Sequence, residues 1–264
     1  MIVRILGCHG SELITSDPGG TPHECRACGF LVNDSCMVDA GSITSCLRDS
    51  EQQKIRHVLL SHAHFDHIKG LPLLADNMVG KTGGKPINVW GLPEVLAQVR
   101  RHIFNGEIYP DFTRLPTVSD APLVFQPLHD EKPVQLESVE VIAVQVNHTV
   151  PAVGFLVRDQ NTAFVYSGDT AETQRIWEVA YQERRLRAAF IETSFPNDLK
   201  SIAKVSGHLT PDLLCREIAK LGRPDIALYI YHLKPSYRDR IKAEIQALQV
   251  PNLQFVEEGQ VITL

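Results

Sequence analysis

No apolar run in this 264-residue chain comes near the roughly 20 residues that a membrane-spanning helix requires. The opening Met1-Ile2-Val3-Arg4-Ile5-Leu6-Gly7 is too short, and too poor in charge at its start, to serve as an export signal. A cytoplasmic protein with no membrane partner is therefore expected. Excess positive charge is missing as well: the formal net charge is -5 and the sequence pI about 6.1. Such a chain has no global attraction for nucleic acid, so an anionic substrate must be drawn by a local positive charge, which metal ions can supply. No stretch has linker composition, and residues 1–264 are expected to form a single domain, with homodimer formation left open.

A disulfide framework is absent too. Cys8, Cys25, Cys28, Cys36, Cys46 and Cys215 crowd mostly into the first fifth of a chain too large to need one, so reduced thiols are expected. Cys25-x-x-Cys28, preceded by His23, looks like half of a zinc site, but no second CxxC or HxxxH pair completes it, and inert thiols are the favoured reading. Gly80-Lys81-Thr82 lacks the glycine a phosphate-binding loop needs five residues earlier, where Ala75 stands.

What is present is Ser61-His62-Ala63-His64-Phe65-Asp66-His67, directly after the apolar run Val58-Leu59-Leu60. Neutral imidazole and carboxylate are the donors that zinc and similar cations recruit. His62 and His64, two apart, point the same way if strand geometry persists, while Asp66 and His67 follow a turn and can face a second ion. The theme recurs downstream, where apolar strands run into His148, Asp169, Glu192 and His232. Strands alternating with helices suggest two sheets packed face to face with helices outside, their strand ends meeting at one rim.

Local signals predict an edge strand over residues 1–8, a glycine- and proline-rich loop over 16–22, and a strand pair around the turn Asn33-Asp34-Ser35. Helices are expected over 45–54, 68–75, 94–104, 173–184, 212–221 and 237–248. Thr210-Pro211 should cap the fifth of these and Gly222 end it. Residues 105–133, rich in proline, are expected to be loop around an active-site rim.

His62-x-His64-x-Asp66-His67 resembles the HxHxDH signature of the metallo-β-lactamase superfamily of dinuclear metallohydrolases, which implies an α/β fold, an αββα sandwich of two mixed sheets with helices on both outer faces. The longer string His62-Ala63-His64-Phe65-Asp66-His67-Ile68-Lys69-Gly70-Leu71-Pro72-Leu73 is most similar to the class II cyclic-nucleotide phosphodiesterases, although that branch usually has Leu at the position of Phe65. Asp39-Ala40-Gly41 resembles the family's Asp-x-Gly element, which makes Asp39 a candidate for orienting a ligand. The resemblance implies that His62, His64 and His148 bind one divalent ion, that Asp66, His67 and His232 bind a second, and that Asp169 bridges them. Zinc is the expected metal, with manganese or iron as alternatives. Glu192-Thr193-Ser194-Phe195 and Ser206-Gly207-His208-Leu209-Thr210-Pro211 resemble elements shared with RNA 3′-processing nucleases of the superfamily, making His208 and Glu192 a general-acid pair, with Asp66 the remaining catalytic candidate.

The implied reaction is attack by a bridging hydroxide on a small phosphodiester, a 3′,5′-cyclic nucleotide opened to the 5′-monophosphate. The RNA nucleases carry an arm between the third and fourth metal motifs, for which the interval from His148 to Asp169 has no room. Alternatives are a 2′,3′-cyclic nucleotide or an RNA 3′ end, a lactone or thioester hydrolase, and a metal-bound nucleotide sensor without turnover.

Overall fold

The computed structural model describes residues 1–16 and 20–264. The loop expected over 16–22 therefore lies partly outside the described residues. In chain order the strands are β1 (Ile2–Gly7), β2 (Leu13–Ser16), β3 (Pro22–Cys25), β4 (Gly29–Val32), β5 (Cys36–Val38), β6 (His57–Leu59), β7 (Ile87–Gly91), β8 (Leu123–Pro127), β9 (Pro133–Leu136), β10 (Val139–Gln145), β11 (Val153–Arg158), β12 (Ala163–Tyr166), β13 (Leu186–Glu192), β14 (Ala227–Tyr231), β15 (Leu253–Phe255) and β16 (Val261–Thr263). Between them lie helices α1 (Ile43–Cys46), α2 (Asp49–Gln52), α3 (Phe65–Ile68), α4 (Gly70–Met78), α5 (Pro93–His102), α6 (Arg175–Gln182), α7 (Lys200–Ser206), α8 (Pro211–Leu221) and α9 (Arg238–Ala247).

Two mixed seven-stranded sheets result, ordered β16-β1-β4-β5-β6-β7-β8 and β15-β14-β13-β12-β11-β10-β9, while among the described residues β2 and β3 pair only with each other. The side-chain period of a strand explains how the second sheet carries two cores at once. Phe164 and Tyr166, Ala188 and Phe190, and Tyr229 and Tyr231 join the core shared with the first sheet. Their neighbours Val165, Ala189, Ile191, Leu228 and Ile230 instead pack with Ile176, Trp177, Leu214, Ile241 and Ile245 of α6, α8 and α9. Strands buried on both faces read as unbroken apolar runs, and Ala188-Ala189-Phe190-Ile191 is one. Phe30 of β4 crosses the inter-sheet gap, its ring 5.3 Å from Tyr166, 5.3 Å from Phe190 and 5.4 Å from Tyr231.

Several local expectations are corrected. β1 is an interior strand, because β16 covers its outer side with Ile2 paired to Thr263. The helix expected over 45–54 is split: Leu47 is extended and buried, and the helix restarts where Glu51 Oε2 accepts the Arg48 N–H at 3.0 Å. The helix over 68–75 begins earlier, as α3 and α4 in succession. Within 105–133 the chain forms β8, prolines notwithstanding, since a sheet-edge strand tolerates them. Thr210 makes no side-chain cap; Asn197 Oδ1, from a distant turn, accepts the Asp212 N–H at 2.9 Å instead, while Gly222 ends α8 in the left-handed conformation as expected.

Topology sets the rim. β5 runs parallel to β6, and β12, β13 and β14 run parallel to one another. β10, antiparallel to β11, which is antiparallel to β12, points the same way as β12. The carboxyl ends of these strands deliver Asp39, His62, His148, Asp169, Glu192 and His232. In open sheets that end is where ligands bind.

Candidate active site

The structure brings together every residue assigned to the metal and general-acid groups, and leaves His23, Cys25 and Cys28 elsewhere. One potential donor atom from each of His62, His64 and His148 lies within 4.8 Å of the others, and the same holds for Asp66, His67 and His232. Asp169 sits between the groups, with Oδ2 3.7 Å from His62 Nε2, 3.3 Å from His67 Nε2 and 3.2 Å from His232 Nε2. Asp66 Oδ2 approaches His232 Nε2 at 3.5 Å.

Four of the five imidazoles have their outer nitrogen assigned by a neighbour. His67 Nδ1 donates to Asp39 Oδ2 at 2.7 Å, and His148 Nδ1 donates to the Gly207 carbonyl at 2.9 Å. Ser61 Oγ donates to Asp39 Oδ2 at 2.9 Å, so it accepts from His62 Nδ1 at 3.0 Å. Ser194 Oγ donates to Glu192 Oε2 at 3.0 Å and accepts from His232 Nδ1 at 2.8 Å. Each Nε2 is thereby left as a lone pair facing the others. His67 Nε2 and His232 Nε2 lie 3.2 Å apart, and His148 Nε2 lies 3.2 Å from His64 Nδ1. His62 Nε2 and Asp169 Oδ1 are buried with no hydrogen-bond partner among the described residues. Orphaned acceptors facing one another are what a pair of cations would satisfy.

Charge states agree with that fit. Burial, joined by the neighbouring imidazoles, keeps His62 and His64 below the usual histidine range, and burial likewise lowers His232. Burial opposes ionisation of Asp66 and Asp169, but the imidazoles of His232 and His67 overcome it and hold both carboxyls well below the ordinary carboxylate range. His67, also opposed by burial, is raised by Asp169 and Asp39. His62, His64 and His232 are thus favoured as neutral imidazoles and Asp66 and Asp169 as ionised carboxylates, the forms that ligate, whereas the carboxylates beside His67 favour its protonated form, so a cation there would displace a proton.

Asp39 carries more than sequence reasoning assigned to it. Fully buried and left-handed at φ 57°, it accepts from Ser61 N at 2.8 Å and Tyr166 OH at 2.8 Å besides Ser61 Oγ and His67. His232 is left-handed too, at φ 67°, a strained conformation for a residue with a side chain. Asp39→Ala is expected to leave these donors unsatisfied and to cost on the order of 3 kcal/mol, measured by denaturant unfolding with and without added zinc. Unchanged stability and zinc uptake would rule out its anchoring role.

Beside the donor groups stands His208. Its Nδ1 lies 2.8 Å from Glu192 Oε1, and its ring centroid is 5.2 Å from those of both His148 and His232. Glu192, fully buried, also accepts from Thr170 N at 3.1 Å and Leu209 N at 3.3 Å. Burial pulls His208 down, but Glu192 outweighs it and raises the imidazole above its usual value. Gly207 is needed where it is: it ends α7 at φ 71°, and a Cβ there would come 2.8 Å from His148 Nδ1. Ser61, Tyr166 and Ser194 were not foreseen. Ser194 had a readable signal, being two residues from Glu192 and so on the same side of an extended chain.

Among the described residues no helix is long and apolar enough to cross a membrane. A family model described as "Beta-lactamase superfamily domain" matches residues 38–232, well over half of the chain. A probable 3′,5′-cyclic-nucleotide phosphodiesterase of Yersinia pestis is 26% identical over 241 residues, covering 79% of this chain and 68% of that protein. Ribonuclease Z of Pyrococcus abyssi is 29% identical over 108 residues, covering 41% of this chain and 32% of that one. In fold, the crystal structure of unliganded yeast PDE1 superposes with a TM-score of 0.83 at 18% identity, covering 100% of this chain and 99% of that chain.

Proposed function

Because the chain belongs to the β-lactamase superfamily, with the αββα sandwich of its metallo-hydrolases, we propose that it is a metal-dependent phosphodiesterase that opens 3′,5′-cyclic nucleotides to 5′-monophosphates. The observation that carries this reading is the pair of donor groups straddling Asp169, with the His208–Glu192 pair at their side. His62, His64 and His148 would hold one divalent cation and Asp66, His67 and His232 the other, with Asp169 shared. When bound, such a pair supplies a water acidic enough to be hydroxide near neutral pH and positive charge facing the phosphate.

The chain's own groups do the rest. Opening the ring breaks the bond between phosphorus and the 3′ oxygen, and an alkoxide leaves poorly unless it is protonated as it departs. His208, with Nδ1 committed to Glu192, donates that proton from Nε2. Glu192 holds the ring in place and favours its protonated form. Asp66, with its side chain 28% exposed, is the carboxylate of the set open to the attacking water and would orient it rather than take its proton, since against the pull of burial His232 and His67 hold its carboxyl well below the ordinary range. Lactone or thioester hydrolysis would leave His208 and Glu192 without a task.

A small substrate is favoured over an RNA end for two reasons. The relative named as a cyclic-nucleotide phosphodiesterase aligns over most of this chain, whereas the ribonuclease Z relative aligns over less than half of it. The segment between His148 and Asp169 is used up by β11, β12 and their connecting turn, with no arm to grip a large RNA. The test is a side-by-side assay of 3′,5′-cyclic AMP and GMP, 2′,3′-cyclic nucleotides and RNA 3′ ends on protein of measured metal content. Turnover of the 3′,5′ compounds to 5′-monophosphates is expected. Faster processing of RNA ends would overturn the substrate assignment, and binding without turnover would make the protein a sensor.

A further inference from the structure

Strand β3 carries His23 and Cys25 two residues apart, so both side chains leave the same face. That face meets His9, two residues beyond the end of β1, and one donor atom from each of His9, His23 and Cys25 lies within 4.8 Å of the other two. Cys25 and His9 are buried, while His23 is partly open to solvent. His9 Nδ1 lies 2.7 Å from Glu258 Oε1, a carboxylate oxygen that also accepts from Arg26 N at 3.0 Å. A carboxylate in that position takes the Nδ1–H and leaves the lone pair on Nε2, the arrangement that orients metal-ligating imidazoles. Cys8 Sγ lies on the Glu258 side of His9, 3.7 Å from its Nδ1, and is directed to the Val256 carbonyl at 3.5 Å.

We propose that His9, His23 and Cys25 bind a further divalent cation of the zinc class, with Glu258 orienting His9, at a structural site separate from the hydrolytic centre. A donor set of two imidazoles and a thiol suits a borderline-soft ion and disfavours magnesium or calcium. The fourth position is open to water. The CxxC pattern is not the ligand pair, because the Cys28 thiol is directed to the His9 carbonyl at 3.5 Å. Arg238 and Lys242 line the same cavity, and their charge is countered there by Glu258 and Glu257. Burial raises the Cys25 thiol above its usual value against a smaller opposing pull from Arg238, so a cation bound there would displace the thiol proton.

Stability gives the site a purpose. The β2–β3 hairpin joins neither large sheet, and a lone two-stranded hairpin is marginal in water. A cation held between β3 and His9 would fasten it. The fastening reaches the hydrolytic rim as well, because His9 bridges to Leu233 and the Cys8 carbonyl accepts the His232 N–H at 2.6 Å.

The hydrolytic donors include no sulfur, so thiolate-to-cobalt charge transfer in the Co(II)-substituted protein reports this cluster alone. Wild-type protein is expected to show that band and to hold one ion beyond those of the hydrolytic centre. Cys25→Ser should remove both the band and that ion, and His23→Ala, at a partly exposed position, should remove the ion and perturb the band. Cys215→Ser, on α8, should change neither. Asp169→Ala, which disables the hydrolytic centre, should leave the band in place, so the two assignments can fail independently. Absence of the band in the wild type, or its survival in both Cys25→Ser and His23→Ala, would overturn the site.

Discussion

Asp169→Ala is expected to empty the hydrolytic centre of metal and to reduce phosphodiester turnover to the uncatalysed background. Oδ2 of this carboxylate lies within 3.7 Å of three imidazole nitrogens, while Oδ1 is buried without a partner among the described residues, so Asp169 is placed to be shared by the two donor sets. Without it, two cations would face each other across a pocket retaining Asp66 as its only ligating carboxylate, and their mutual repulsion would go unscreened. Because ligand binding stabilises the folded state by mass action, wild-type protein should melt at higher temperature as zinc is added, and the variant should lose most of that response. Asp169→Asn, which keeps the shape and removes the charge, separates electrostatics from packing and should behave like the alanine. Elemental analysis and a thermal melt decide the matter: either variant keeping a full complement of metal and wild-type turnover would remove Asp169 from between the ions.

The residues proposed for this centre were legible because candidate metal ligands are a matter of residue type at strand ends, and both features are local. The run from His62 to His67 declares itself, and apolar segments ending in His148, Asp169 and His232 could be read one at a time. The groups that hold those side chains in place were far less visible. Ser61 and Tyr166 are ordinary residues in sequence, and only the closing of the two sheets brings the Tyr166 hydroxyl to Asp39 from 127 positions away. The interior place of β1 was hidden for the same reason, since it depends on a strand at the other end of the chain. Likewise β8 lies within a stretch whose prolines argue locally for loop, yet its register with β7 is set by sheet pairing that no local window contains. His9 was overlooked beside the CxxC pattern because β3 and the segment after β1 meet only in the folded chain.

His208→Ala carries the second large effect, and it separates binding from chemistry. His208 is in neither donor set around Asp169, so the variant should keep its metal while losing about 10²- to 10⁴-fold in kcat on a cyclic nucleotide, the usual contribution of a positioned acid. A nitrophenyl phosphodiester, whose leaving group departs readily as an anion, should be slowed far less. Equal loss on both substrates would remove the general-acid role. Glu192→Gln tests the partner through a different readout. Gln can keep its amide oxygen toward His208 Nδ1, Thr170 N and Leu209 N while reversing the bond with Ser194, so the ring stays placed but loses the negative charge beside it. Since that charge raises the imidazole against the pull of burial, its loss lowers the pH at which His208 gives up its proton. An acid works only while protonated, so activity on the cyclic nucleotide should begin to fall at lower pH in Glu192→Gln than in the wild type, with kcat for the nitrophenyl ester little changed. A shift of that alkaline limb in the opposite direction would mean that Glu192 acts on something other than His208.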